Sequence, residues 1–184
     1  MPKPRTVLRA GARAQRGVFL IEALLGILIF SLGILSLVAM QTAAVSAQSD
    51  ARYRIEAADF ADQILSEIWL TVARPGTANN AANAAASLAS ITPFAHQATG
   101  APNTCNFSGA ASASQLVTNW VGALTAPGTG LPGATAAMQQ ISIVSLANGV
   151  PPVPAYSQVS VTVCWKTPID ATPHRHTVVA MIGY

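Results

Sequence analysis

The first candidate functional residue is an acid near the N-terminus that interrupts a long apolar stretch. Glu22 is the only charged residue from Val18 to Met40, and the next charge is Asp50. A carboxylate in hydrocarbon costs about 2.5–3.5 kcal/mol on insertion scales, so it is a functional candidate by default. The alternative is an acid near a helix end whose carboxylate reaches the lipid headgroups.

A second candidate is the pair Cys105 and Cys164, the only cysteines in the chain. On an oxidising side of a membrane they fit one disulfide, which would close a loop of about sixty residues. Two free buried thiols are the alternative. Two cysteines alone are a weak basis for a metal site.

His174 and His176 are two residues apart, so on a strand they would share a face and could bind a metal ion. No third ligand lies nearby, and a polar strand edge is the favoured interpretation. Three tryptophans (Trp69, Trp120 and Trp165) are interpreted as core residues rather than as a stack around a cofactor. We therefore expect no metal and no cofactor.

The charge distribution argues against two function classes. Residues 75–165 contain no Asp, Glu, Lys or Arg, whereas general acid–base catalysis needs titratable side chains placed against substrate. An enzyme is therefore not expected. Five of the ten Lys and Arg residues lie in residues 1–17, and residues 18–184 carry five bases against seven acids. That is too little positive charge for a surface that tracks phosphates, so no nucleic-acid partner is expected.

The N-terminal segments resemble a targeting signal followed by a membrane helix. Residues 1–17 form a basic leader without any acid, and the apolar run at residues 18–40 is longer than the core of a cleaved secretory signal. About twenty apolar residues suffice to cross a bilayer as a helix. The basic cluster should hold the N-terminal side in the cytoplasm, so the rest of the chain should lie on the other side.

Residues 41–74 are predicted to continue this helix as an amphipathic half. Apolar residues recur there at three- and four-residue steps, at Ile55, Ala58, Ala61, Ile64 or Leu65, and Ile68. Residues 18 to about 71 should therefore form one helix, about 80 Å long at 1.5 Å per residue. The sequence Arg74-Pro75-Gly76 is predicted to end it.

Residues 75–184 are predicted to form a globular domain with long uncharged loops and three or four antiparallel strands. Residues 77–90 are interpreted as a loop with at most one short helix, and breaks are predicted at Gly128–Gly133 and Pro151–Pro154. Alternating side chains predict strands at residues 141–146, 159–165 and 177–182. The expected fold class is α+β, with one long helix packed on a small antiparallel sheet.

A short motif, Arg16-Gly17-Val18-Phe19-Leu20-Ile21-Glu22, opens the apolar segment. It resembles the class III signal of type IV prepilins, whose pattern is Gly-Phe-Thr-Leu-Ile-Glu; Val18 and Phe19 depart from it. The resemblance implies a pilin-like fold, cleavage between Gly17 and Val18 by a prepilin peptidase, and N-methylation of Val18. It also implies that Glu22 acts in subunit assembly.

Three further runs are similar to PilV-type minor pilins, at residues 31–37, 51–58 and 63–68. This implies a structural role: a minor pilin precursor that enters a type IV pilus and helps to initiate or modify its assembly. The implied partners are the peptidase and other major and minor pilins. Before assembly the precursor would span the inner membrane, with its C-terminal domain in the periplasm. After assembly it would be part of a pilus at the cell surface. A type II secretion pseudopilin and a signal-anchored extracytoplasmic binding domain are the alternatives.

Overall fold

The computed structural model of the chain describes residues 16–73, 81–146 and 156–183. Helix α1 spans Arg16–Thr71, 56 residues without an internal proline, and confirms the long predicted helix. The predicted stop at Arg74-Pro75-Gly76 lies outside the described residues. The chain forms two structural units, Met1–Gln48 and Ser49–Tyr184, which are described separately below.

In the second unit, one face of α1 enters the core. The buried residues recur at four- and three-residue steps and are Ala57, Ala61, Ile64 and Ile68, followed by Val72 immediately after the helix. The predicted face was wrong at Ile55, whose side chain is 64% exposed. Because Ile55 lies six residues before Ala61, it projects about 120° around the helix from Ala61 and away from the buried stripe.

Two shorter helices pack beside α1. Helix α2 (Ala81–Ile91) lies in the segment predicted to be a loop with at most one short helix, and a 3-10 turn follows at Thr92–Phe94. Helix α3 (Gln115–Leu124) was not predicted; it buries Val117, Trp120 and Leu124. The Trp120 indole N–H donates to the Phe60 carbonyl oxygen of α1 at 2.8 Å, which satisfies a polar atom inside the core.

A three-stranded antiparallel sheet completes the described part of this unit. Strands β1 (Gln139–Leu146), β2 (Tyr156–Trp165) and β3 (His174–Gly183) occur in the order β1-β2-β3. All three strand predictions are confirmed, and Val161 pairs with Ile141 on one side and with Val178 on the other. The inner face of the sheet shares one apolar core with the buried stripe of α1. The predicted break at Pro151–Pro154 lies outside the described residues.

The predicted break at Gly128–Gly133 is an ordered loop between α3 and β1. The Leu131 N–H donates to the Leu124 carbonyl oxygen, and the Lys166 N–H donates to the Pro132 carbonyl oxygen, both at 2.9 Å. Gly133 has a φ of 60°, and a Cβ there would lie 2.2 Å from the Lys166 carbonyl oxygen. Only glycine fits such a position, where the backbone is left-handed and another backbone approaches closely.

Candidate functional site

The first candidate site is the apolar segment of α1. Every described side chain from Val18 to Ser49 is exposed, and an 18-residue window in this helix reaches a mean hydropathy of 2.6. α1 is thus long and apolar enough to cross a membrane. A helix that is apolar on every side is stable in lipid or among other apolar helices. In water, the exposure of so much apolar surface would be unfavourable.

The three residues singled out at the start of this segment lie within little more than one helical turn. The Gly17–Val18 peptide bond is in the first turn of α1, and Glu22 is four residues after Val18, so Val18 and Glu22 share one helix face. Glu22 is exposed and has no hydrogen bond or ion pair with any residue in the described ranges. If the chain were cut before Val18, the new ammonium would become a second charge in the apolar segment.

Two glycines, Gly26 and Gly33, lie further along the same segment. A Cβ added at either position would meet no atom within 4 Å, so the described fold of this chain does not require glycine there. Small residues at helix surfaces allow other helices to approach closely in membranes. The Ser36 hydroxyl donates to the Gly33 carbonyl oxygen at 2.8 Å and is thereby satisfied within α1.

The second candidate site is the disulfide between Cys105 and Cys164, which the structure contains. Cys164 is on the outer face of β2, opposite the valines that face the main core, so the bond fastens the Cys105 loop across that face. Both cysteines are buried and form a small second cluster with Phe107, against which Met138 packs. The outer face of β2 is thereby covered around Cys164.

Hydrogen bonds hold the same loop to β1. His96 and Ile141 exchange two backbone hydrogen bonds, at 3.0 and 2.9 Å. The buried Gln140 amide donates to the carbonyl oxygens of Gln97 and Gly100, each at 3.2 Å. The disulfide therefore acts together with a set of polar contacts, and the loop is part of the folded unit.

A charged cluster that sequence reasoning missed surrounds His174. Its Nε2 lies 3.2 Å from Asp170 Oδ2, and its Nδ1 lies 3.7 Å from Asp50 Oδ1. Asp50 also pairs with Arg54 at 2.9 Å, and the His174 ring stacks on Trp165 at a centroid distance of 5.6 Å. The Nε2–Asp170 distance is within hydrogen-bond range, whereas the Nδ1–Asp50 distance is longer than a hydrogen bond.

The Asp170 carboxylate closes the turn between β2 and β3. It accepts hydrogen bonds from the Thr167 hydroxyl and from the Thr167 N–H, the latter at 3.0 Å. The Thr167 hydroxyl is the largest influence that lowers the pKa of Asp170 below its ordinary value, and His174 lowers it further. The carboxylate is therefore favoured as the charged form in the folded state.

This pKa shift predicts a pH-dependent contribution to stability. Because the folded-state pKa is lowered, the Asp170 carboxylate stabilises the fold above about pH 4, and the contribution is lost as pH falls through the folded-state pKa. Asp170→Asn should therefore lower the melting temperature at pH 7, with a difference from wild type that shrinks in acid.

Tryptophan fluorescence measures this unit alone, since all three tryptophans follow Ser49. Asp62→Asn is the control, because the exposed Asp62 carboxylate has no described partner. Parallel wild-type and Asp170→Asn curves would contradict the prediction.

The three tryptophans differ in burial, and the two predicted histidines do not belong to a metal-binding group among the described residues. Trp165 is fully buried and Trp120 nearly so, whereas Trp69 is 38% exposed and does not fit the core interpretation. The Trp165 Nε1 atom has no hydrogen-bond partner among the described residues. His174 and His176 share a strand face, but no group of three or more His, Cys, Asp or Glu residues within the described ranges could hold a metal ion.

A polar groove of about 590 Å³ lies between α1 and the loop at residues 125–134. Arg52, Tyr53 and Glu56 form its wall on α1, and none of their side chains makes a described hydrogen bond. Sequence reasoning missed this groove because its two walls are about seventy residues apart in the chain.

Comparison of the chain with family models, with curated proteins and with solved structures finds no match.

Proposed function

We propose that this chain is the precursor of a minor pilin of a type IV pilus, with the PilV type as the nearest resemblance. In this proposal a prepilin peptidase cuts between Gly17 and Val18 and methylates the amine of Val18. The apolar segment of α1 then leaves the inner membrane and packs among the helices of other pilins. The protein helps to initiate or modify the fibre, and its globular unit lies outside the membrane.

The observation that carries the proposal is the two-part character of α1. Its first part is exposed on every side from Val18 to Ser49, and its second part buries one stripe against a small antiparallel sheet. Such a helix supports the proposal of a subunit whose apolar part is first surrounded by lipid and later packs against neighbouring helices. The open surfaces at Gly26 and Gly33 support close helix packing of this kind.

Glu22 has a physical role in this assembly. The ammonium at Val18 and the carboxylate of Glu22 attract strongly at low dielectric, although desolvation offsets much of the gain. Such a pair specifies the register between helices more than it adds stability. We assign Glu22 to the amine of a neighbouring subunit, which would set the axial step of the helix bundle.

One observation favours a second candidate, a signal-anchored extracytoplasmic binding domain. The groove beside Arg52, Tyr53 and Glu56 offers unpaired polar groups to a ligand. This alternative predicts that the leader stays attached. A type II secretion pseudopilin shares the processing step with the proposed function and differs in the assembly that contains it.

The N-terminus of the protein in membranes of its own host tests the proposal. We expect intact mass and N-terminal sequencing to find a chain that begins at methylated Val18, because the peptidase removes residues 1–17. A chain beginning at Met1 would support the signal-anchored alternative, and one beginning near Ala47 would indicate a secreted domain. Gly17→Leu should retain Met1, whereas Gly11→Leu, at the other glycine of the leader, should be processed normally. Recovery in sheared surface fibres, rather than with a secretion complex, separates the pilus from the pseudopilus.

A further inference from the structure

The polar groove beside α1 has a volume of about 590 Å³ and belongs entirely to the globular unit. Its wall on α1 consists of Arg52, Tyr53 and Glu56, which occupy an arc of about 100° around the helix. The facing wall is the loop at residues 125–134, which contains no charged side chain. The volume falls in the range of about 300–1,000 Å³ that is typical of small-ligand sites.

Residues 147–155, which lie outside the described ranges, are too few to reach this groove. They connect Leu146 with Tyr156, and these two residues pair at one end of the sheet. The groove adjoins the opposite end, because Gly133 of its loop lies against the backbone of Lys166, just after β2. The nine steps along β2 separate the two ends by about 30 Å. A ten-step connection anchored at both ends extends at most about 18 Å from the midpoint of its anchors.

Residues 74–80 are also too few to reach the groove. They are anchored at the C-terminal end of α1, where the Ala73 carbonyl oxygen accepts a hydrogen bond from the Ser87 hydroxyl of α2. Glu56 lies fifteen residues before the last residue of α1, which corresponds to about 22 Å along the helix axis. An eight-step connection extends at most about 14 Å from the midpoint of its anchors. Neither internal gap therefore covers the polar side chains of the groove.

The α1 wall presents one donor group and one acceptor group of opposite charge. The Arg52 guanidinium only donates hydrogen bonds, and the Glu56 carboxylate only accepts them. The two side chains are one turn apart, yet neither forms an ion pair with any described residue. Because their charges cancel, the groove favours neither an anion nor a cation. Hydrogen bonds to charged groups are about twice as strong as those between neutral groups, so neutral hydroxyl groups suit both side chains.

Tyr53 adds an aromatic ring to the same wall. The ring is half-buried and packs against the main apolar core, which holds it in place. On the facing loop, the exposed Thr129 hydroxyl and the N–H groups of Gly128 and Thr129 make no described hydrogen bond. The groove therefore combines an apolar surface with neutral polar groups and one charge of each sign.

We propose that this groove binds a neutral saccharide. The hydroxyl groups of a sugar can accept from Arg52 and donate to Glu56, and the C–H groups on one face of its ring can pack on Tyr53. A zwitterion such as an amino acid would match the two charges, but it would leave the Tyr53 ring and the uncharged loop without complementary groups. The inference goes beyond the proposed function and does not depend on removal of the leader, because every residue of the groove follows Ser49.

Glycan binding by the full chain, in a detergent that has no sugar headgroup, tests the inference. The labelled protein is applied to an array of neutral and charged glycans, and titration calorimetry with the neutral glycan that binds best gives the dissociation constant. We expect Arg52→Gln and Glu56→Gln each to raise this constant roughly tenfold or more, because each removes a hydrogen bond to a charged group. Tyr53→Leu keeps an apolar side chain against the core and should also weaken binding, since it removes the ring.

Asp59→Asn is the matched control, since it neutralises an exposed acid of α1 that does not line the groove. It should leave the dissociation constant unchanged, and unchanged tryptophan fluorescence melting curves show that the variants fold. The inference is overturned if no neutral glycan binds, if only charged glycans bind, or if both glutamine variants bind like the wild type. It is also overturned if glycine betaine binds more tightly than the best neutral glycan, or if Asp59→Asn weakens binding as much as Glu56→Gln.

Discussion

Replacing Glu22 with alanine is expected to leave cleavage after Gly17 intact and to lower the amount of the protein in sheared fibres by roughly tenfold or more. In the proposed function, the peptidase would act at the Gly17–Val18 bond, whereas the assembled bundle would contain the new ammonium at Val18. Removing one partner of a buried ion pair costs about 3–5 kcal/mol, because the other charge stays buried without compensation. The variant should therefore accumulate in the membrane as a processed protein.

Glu56→Ala is the matched control for this experiment. It removes an acid from the same helix in the globular unit, where Glu56 makes no described ion pair, and should enter fibres at the wild-type level. Quantitative immunoblots of membrane and fibre fractions measure both variants, and intact mass reports their processing. Normal incorporation of Glu22→Ala would contradict the pairing, and an uncleaved variant would assign Glu22 to recognition by the peptidase.

Replacing both cysteines with alanine should lower the free energy of unfolding of the globular unit by about 4 kcal/mol, the chain-entropy value for a loop of about sixty residues. Alanine avoids an unpaired hydroxyl at Cys164, which is fully buried. Urea unfolding of the full chain in detergent, followed by tryptophan fluorescence, measures the loss. Hydrogen exchange should show the largest loss of protection in the loop around Cys105, and a smaller one in β2.

Chemical reduction of the wild type provides the control for this prediction. A reductant should destabilise the wild type by a similar amount and should not affect the double variant. A difference in unfolding free energy below about 1 kcal/mol would contradict the prediction. It would also show that the hydrogen bonds of Gln140 and His96 hold the loop without the covalent bond.

The local patterns that predicted structure correctly are those in which one periodicity dominates. The apolar run from Val18 and the alternation from Val159 to Trp165 each have a single interpretation, and both elements are present. α3 was missed although Val117, Trp120, Val121 and Leu124 have helical spacing. The segment is uncharged like the surrounding loops, and in the structure its buried face is held to α1 by the hydrogen bond from Trp120 to the Phe60 carbonyl oxygen.

Residue spacing alone did not fully identify the buried face of α1. Several three- and four-residue series can be drawn through residues 55–68, and the series chosen from the sequence included Ile55. The core contains Ala61, Ile64 and Ile68 of that series, but it buries Ala57, which the series omitted, and leaves Ile55 exposed. The choice depends on the opposing surface, which is distant in the chain.

The long helix, the three strands and the position of Glu22 in the apolar segment could be predicted from local sequence patterns. These features follow from composition and from periods of two and 3.6 residues, which are local properties of a chain. Which distant groups meet became apparent only in the folded chain, as for His174 with Asp50 and for the Trp120 indole with the Phe60 carbonyl oxygen. Those contacts join residues that are distant in sequence, and the pairing of distant residues follows from packing of the whole unit.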